Sequence, residues 1–233
     1  KQLDNLQATL LYPFAYDASK SYPMIIDLYE QKAGAIHHYS VPILGDRKGV
    51  NYARLRSMGY FVLCPDFTYK SNEPGASSKQ SLDLILKEVL NNTAIDSSRI
   101  GLNGYSFGGY EVNYIVGSGA GFAAAVSGGG LSDLTRKYTT VDGVGNTKFY
   151  HLENYQGRMQ GPYYENQKAY IDNSPIWNVH QVNTPLLLYA GKEDYHVNRN
   201  QSIAFYLGLK RAGKETSLML YPDQGHAFSN PKA

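Results

Sequence analysis

The sequence predicts an α/β fold: a mostly parallel central sheet with helices on both faces. Three observations carry this. Short, nearly continuous apolar runs recur along the chain, helical periodicities lie between them, and glycines stand where those helices should end. A run that is apolar at nearly every position suits a strand buried on both faces. Strands that alternate with helices build parallel sheets.

Taken in order, residues 6–12, 24–29, 60–65, 99–103, 123–127, 186–190 and 217–221 have strand character. The clearest helix spans 78–91, where Leu82, Ile85, Leu86, Val89 and Leu90 recur at helical spacing. Residues 52–58 form another, ending at Gly59, and 199–212 a third, closed by Gly213 at the C-cap position. A helical stretch also follows the fourth strand, over 110–116. No repeat, low-complexity tract or linker divides the chain, so residues 1–233 read as one domain. About 55 residues separate the fifth and sixth strands, far more than a crossover helix needs, so 130–183 is expected to add a lid or pocket wall.

Composition narrows the function. The chain is 42% apolar and 18% charged with a net charge of +2, which excludes disordered, collagen-like and coiled-coil classes. So small a charge, with no Lys/Arg run on a helix face, argues against nucleic acid as a partner. Apolar runs are only a handful of residues long, so no membrane segment is expected. One cysteine, Cys64, can form neither an internal disulfide nor a zinc cage. The chain begins at Lys1 without a signal-like segment, so it is expected to be a processed or excised piece. Several of the 21 tyrosines fall between Gly130 and His180, as a cleft wall or as a tyrosine-rich surface.

The most specific signal is Gly104-Tyr105-Ser106-Phe107-Gly108-Gly109, between the fourth strand and a helix. This is a G-x-S-x-G nucleophile elbow in the strand–turn–helix context its mechanics require. Flanking glycines permit a turn sharp enough to lift the serine hydroxyl off the backbone. The helix N-terminus behind it offers N–H groups to a developing oxyanion.

Serine is a weak nucleophile without a base, and the base needs an orienting acid. In the α/β-hydrolase fold the order is Ser, then Asp or Glu, then His. Asp194 follows the sixth strand and His226 the seventh, so the assignment is Ser106 nucleophile, Asp194 acid and His226 base. Glu193 is the neighbouring alternative acid, and Asp223 is read as shaping the His226 turn. His37, His38, His151 and His180 are read as structural or surface residues, and His196 as a residue that could line the pocket. No metal motif, dinucleotide fingerprint or phosphate loop occurs, so neither metal nor cofactor is expected.

Residues 22–30, 59–66, 95–110, 156–159 (Gln-Gly-Arg-Met), 170–176, 184–197 and 221–226, in this order and spacing, resemble the catalytic α/β-hydrolase domain of the prolyl oligopeptidase family of serine peptidases, of the dipeptidyl-peptidase and acylaminoacyl-peptidase type. The resemblance covers nearly the whole chain. It implies an oxyanion hole made by the Tyr29 hydroxyl and the Phe107 N–H, and a pocket for proline or a small apolar residue bordered by Phe107 and Val197. It also implies an N-terminal β-propeller as a partner domain. The family's His-Gly before the acid is Ala190-Gly191 here, and the chain stops seven residues after His226, so the last C-terminal helix is expected to be missing.

The expected activity is therefore a cofactor-independent serine peptidase acting on short peptides through an acyl-enzyme on Ser106. A carboxylesterase with the same triad is the alternative, and a non-catalytic hydrolase-fold binding module a more distant one. Homodimerisation, and whether the compartment is exported or cytoplasmic, are left open by the sequence.

Overall fold

A computed structural model describes residues 6–37, 50–91 and 94–229. Among the described residues seven strands form one sheet: β1 (Ala8–Leu11), β2 (Tyr22–Leu28), β3 (Phe61–Pro65), β4 (Ile95–Tyr105), β5 (Ala124–Gly128), β6 (Leu186–Gly191) and β7 (Thr216–Tyr221). Their spatial order is β1-β3-β2-β4-β5-β6-β7. Only β1 is antiparallel, running against β3, and every other pair is parallel. All five residues of β3 are buried, the pattern expected of a strand covered on both faces.

Alternation along the strands separates two faces. Met24, Ile26, Leu28, Leu63, Leu102 and Leu188 meet helices α2 (Pro74–Asn91), α3 (Phe107–Gly117) and α7 (Asn200–Arg211) through Leu82, Val112, Ile115, Phe205 and Leu209. On the opposite face Tyr52, in α1 (Tyr52–Ser57), donates to Oδ2 of buried Asp27 at 2.6 Å. Lys32 Nζ reaches the same oxygen at 2.5 Å, and Asn103 Nδ2 donates to Oδ1 at 2.8 Å. The buried carboxylate is thus fully partnered, as a buried charge must be.

The long connection between β5 and β6 folds as α4 (Leu134–Tyr138), α5 (Phe149–Glu153), α6 (Gln167–Asp172) and a 3-10 turn at Pro175–Gln181. With α3 it encloses a second apolar cluster: Phe107, Tyr110, Leu131, Leu134, Tyr138, Leu152, Met159, Tyr170 and Val197. The tyrosines of this segment divide between core and surface. Tyr138 and Tyr170 are buried, whereas Tyr150, Tyr155 and Tyr164 face solvent. Among the described residues, no helix is long and apolar enough to cross a membrane.

Strand order also fixes where a crevice forms. From β2 the chain passes to β3 on one side, and from β4 it passes to β5 on the other. The two C-terminal ends lie side by side, with Leu28 in register with Gly104, and their loops diverge. Such a switch point opens a cleft beyond the strand ends.

Candidate active site

Ser106 sits in that cleft with φ 58° and ψ −119°, a conformation costing about 1–3 kcal/mol for a residue with a side chain. The surrounding packing holds it. Its N–H donates to the Gly128 carbonyl at 2.8 Å. A Cβ on Gly104 would stand 2.2 Å from the Gly108 carbonyl oxygen, and one on Gly108 would stand 2.0 Å from that of Leu28. Only glycines allow strand, turn and helix to approach so closely. As the first residue of α3, Phe107 has an amide N–H with no intrahelical acceptor.

Ser106 Oγ lies 2.8 Å from Nε2 of His226, and Nδ1 of that ring lies 2.7 Å from Asp194 Oδ2. The other Asp194 oxygen accepts from the backbone N–H groups of His196 (2.9 Å) and Val197 (2.8 Å). An ionised carboxylate only accepts, so the proton belongs on Nδ1 and Nε2 is left to accept from serine. Asp194 is buried, and the Glu193 carboxylate faces away, taking the Tyr195 hydroxyl at 3.1 Å. The loops carrying acid and base are laced together. Glu193 N–H donates to Gln224 O and Lys192 N–H to Tyr221 O, both at 2.9 Å, and Tyr105 OH donates to the His226 carbonyl. A Cβ on Gly191 would stand 2.2 Å from Gln224 O, so the Ala190-Gly191 pair keeps the one glycine this contact requires. Asp223, at φ 55°, forms the turn before the histidine.

Tyr29 follows β2, and its hydroxyl oxygen accepts from Gln156 Nε2 at 3.2 Å. The same amide donates to Glu30 Oε2 at 2.7 Å, and Arg158 pairs with Glu30 Oε1 at 2.6 Å while its guanidinium lies 4.0 Å over the Tyr69 ring. Beneath them Glu111 is fully buried, with Tyr69 OH donating to it, and burial pushes its carboxyl up to about 8. Gln156-Gly157-Arg158 carries the resemblance in sequence, but nothing in the sequence links it to Tyr29.

A pocket that opens to solvent lies beside Ser106. Phe107, Tyr110, Leu131, Leu134, Leu152 and Val197 supply its apolar wall, and Lys137, Lys148, His151 and His196 also line it. His151 corrects its reading as a structural or surface residue. Its ring lies 5.5 Å from His196, whose ring is 4.7 Å from His226. Burial and the neighbouring positive charges push both the His151 and His196 rings down. Neither lysine was legible as a pocket residue, since no local pattern marks it. His37 is exposed, and His38 lies outside the described residues.

An α/β-hydrolase with a Ser–His–Asp hydrogen-bonded chain at its switch point is thus the class that fold and site define. Residues 78–233 match the model of the prolyl oligopeptidase family, and the chain belongs to that family of serine-type peptidases. It is 24% identical over 225 residues to the uncharacterized peptidase YuxL of Bacillus subtilis, covering 94% of this chain and 33% of that protein. It is 26% identical over 245 residues to dipeptidyl-peptidase 5 of Porphyromonas gingivalis, covering 98% and 34%. The acylaminoacyl peptidase of Pyrococcus horikoshii shares the fold with a TM-score of 0.75 at 22% identity, over 97% of this chain and 36% of that one. The chain spans about a third of the length of the curated relatives it matches.

Proposed function

We propose that this chain hydrolyses peptide bonds of short peptides through an acyl-enzyme on Ser106. The observation that carries the reading is the unbroken chain from Ser106 Oγ to His226 (2.8 Å) to Asp194 (2.7 Å). In this reading Ser106 Oγ attacks the scissile carbonyl as its proton passes to His226 Nε2. Asp194 holds the imidazole tautomer and stabilises the imidazolium. The Phe107 N–H and the Tyr29 O–H donate to the tetrahedral oxyanion. His226 then protonates the leaving amine, and water enters by the same route to release the acid and free Ser106.

The pocket bordered by Phe107 and Val197 takes the side chain on the acyl side of the bond. Its apolar wall suits the proline or small apolar residue that the resemblance implies, but its two lysines do not follow from that preference. Peptides are the partners in this reading, and a β-propeller elsewhere in a longer gene product would gate their access.

The test is intact-mass analysis after a fluorophosphonate probe, with Ser106→Ala as control and circular dichroism on both proteins. A single adduct, absent in the variant, is expected. A folded protein without an adduct would sink the reading. Matched amide and ester substrates then separate a peptidase from an esterase, because amide cleavage depends far more on protonation of the leaving group.

A further inference from the structure

Lys137 is only 6% exposed, yet among the described residues the hydrogen-bond partner of its ammonium is a single neutral group, the His196 carbonyl oxygen. Buried charges are ordinarily paired with opposite charges. The nearby carboxylates are committed elsewhere. Asp142 Oδ2 pairs with Lys148 Nζ at 3.0 Å, and Asp194 is occupied by His226 and two backbone amides. Lys148, 5% exposed, adds a second positive charge to the same lining, and His151 and His196 contribute no negative one. Burial and repulsion from Lys148 push the Lys137 ammonium down to about 8, while Asp194 and Asp142 act on it more weakly in the opposite sense. Lys137, Lys148, His151 and His196 share a pocket with Ser106, walled elsewhere by Phe107, Leu131, Leu134 and Val197.

We propose that this cavity is a specificity pocket for an acidic residue, in which the Lys137 ammonium pairs with the side-chain carboxylate of a glutamate or aspartate whose carbonyl Ser106 attacks. The methylene groups of such a residue lie along the apolar wall, and its carboxylate supplies the partner that Lys137 lacks. A charge-assisted hydrogen bond to a largely buried ammonium is among the stronger polar contacts a site can offer. The proposal rests on the hydrolase reading above, so its test also includes a measurement independent of turnover.

Using the full-length gene product, kcat/KM is compared for matched Ala-Glu, Ala-Gln, Ala-Ala and Ala-Pro aminocoumarin amides, each with free and acetylated N-termini. The glutamate substrate should exceed its glutamine isostere by roughly ten- to a hundredfold, the worth of a charge-assisted hydrogen bond. Lys137→Gln should bring that ratio toward unity, and Lys137→Arg should keep the preference for an acid. A further arm places the only carboxylate at the C-terminus of the leaving residue, behind a neutral residue. A gain confined to that substrate would assign the lysine to a terminal carboxylate and overturn the side-chain proposal, as would glutamine or alanine matching glutamate. Calorimetry on Ser106→Ala with the Ala-Glu and Ala-Gln amides reads the pocket without chemistry. Tighter binding of the glutamate compound supports the pocket even if Ser106 proves unreactive, and equal binding overturns it.

Discussion

Gln156 Nε2 donates to the hydroxyl oxygen of Tyr29 at 3.2 Å and leaves the tyrosine proton free to point elsewhere. The amide is held in this sense because its nitrogen also meets the Glu30 carboxylate, which can only accept. Arg158, in turn, fixes Glu30. In the proposed mechanism Gln156 is therefore a positioning residue for the hydroxyl that donates to the oxyanion.

Tyr29→Phe should lower kcat by about a hundredfold with KM little changed, the usual cost of one oxyanion donor. Gln156→Leu should move kcat in the same direction by a smaller factor and leave fluorophosphonate labelling of Ser106 intact. Steady-state kinetics on one amide substrate checks both. A Gln156 effect confined to KM would count against the positioning role.

Asp194→Asn exchanges a carboxylate for an amide that can present N–H to the ring and favour the wrong tautomer. The expected loss in kcat is on the order of ten-thousandfold, without loss of fold by circular dichroism. Glu193→Gln should stay close to the parent rate, because that carboxylate faces Tyr195.

Gly191→Ala places a methyl group where Gln224 O stands 2.2 Å away, so the loop carrying His226 must shift. A displacement near 1 Å at reacting atoms costs about a hundredfold. Activity should fall by that order while Tm changes little, as read by kinetics beside a thermal melt.

Glu111 makes stability depend on pH. Folding holds its proton to about pH 8, whereas the unfolded chain releases it near 4.5. Its contribution is full below the lower value, falls as pH rises between the two, and is level above the upper one. Denaturant titrations across that range should show stability declining with pH, and Glu111→Gln should remove the decline. An unchanged slope in the variant would show that another group causes it.

The strands and the Ser106, Asp194 and His226 positions were legible in sequence because each rests on local pattern. Apolar runs mark the strands, and the three residues fall just beyond strand ends in a fixed order. Boundaries slipped where tertiary contact overrides local signals. α2 starts at Pro74 rather than at Ser78, with proline at its first position and glycine where a Cβ would collide with the Tyr114 ring at 2.2 Å. β4 starts at Ile95 rather than near 99, and Asp96 to Arg99 are polar and at least partly exposed. Helices α4, α5 and α6 are five or six residues long, too short to show a period. Lys137, Lys148 and Gln156 gain their meaning only from what the fold brings beside them.

Of the three residues in the chain, the base hangs from the most peripheral strand. β7 lies at one end of the sheet, bonded to β6 alone among the described strands, and Met219 on it is 45% exposed. Serine, by contrast, follows β4, which has a neighbour on each side. Edge elements open with less free energy than central ones. Fraying of β7 would then detach His226 while the rest of the molecule stays folded, so heat should silence the enzyme at a temperature below the one that melts it.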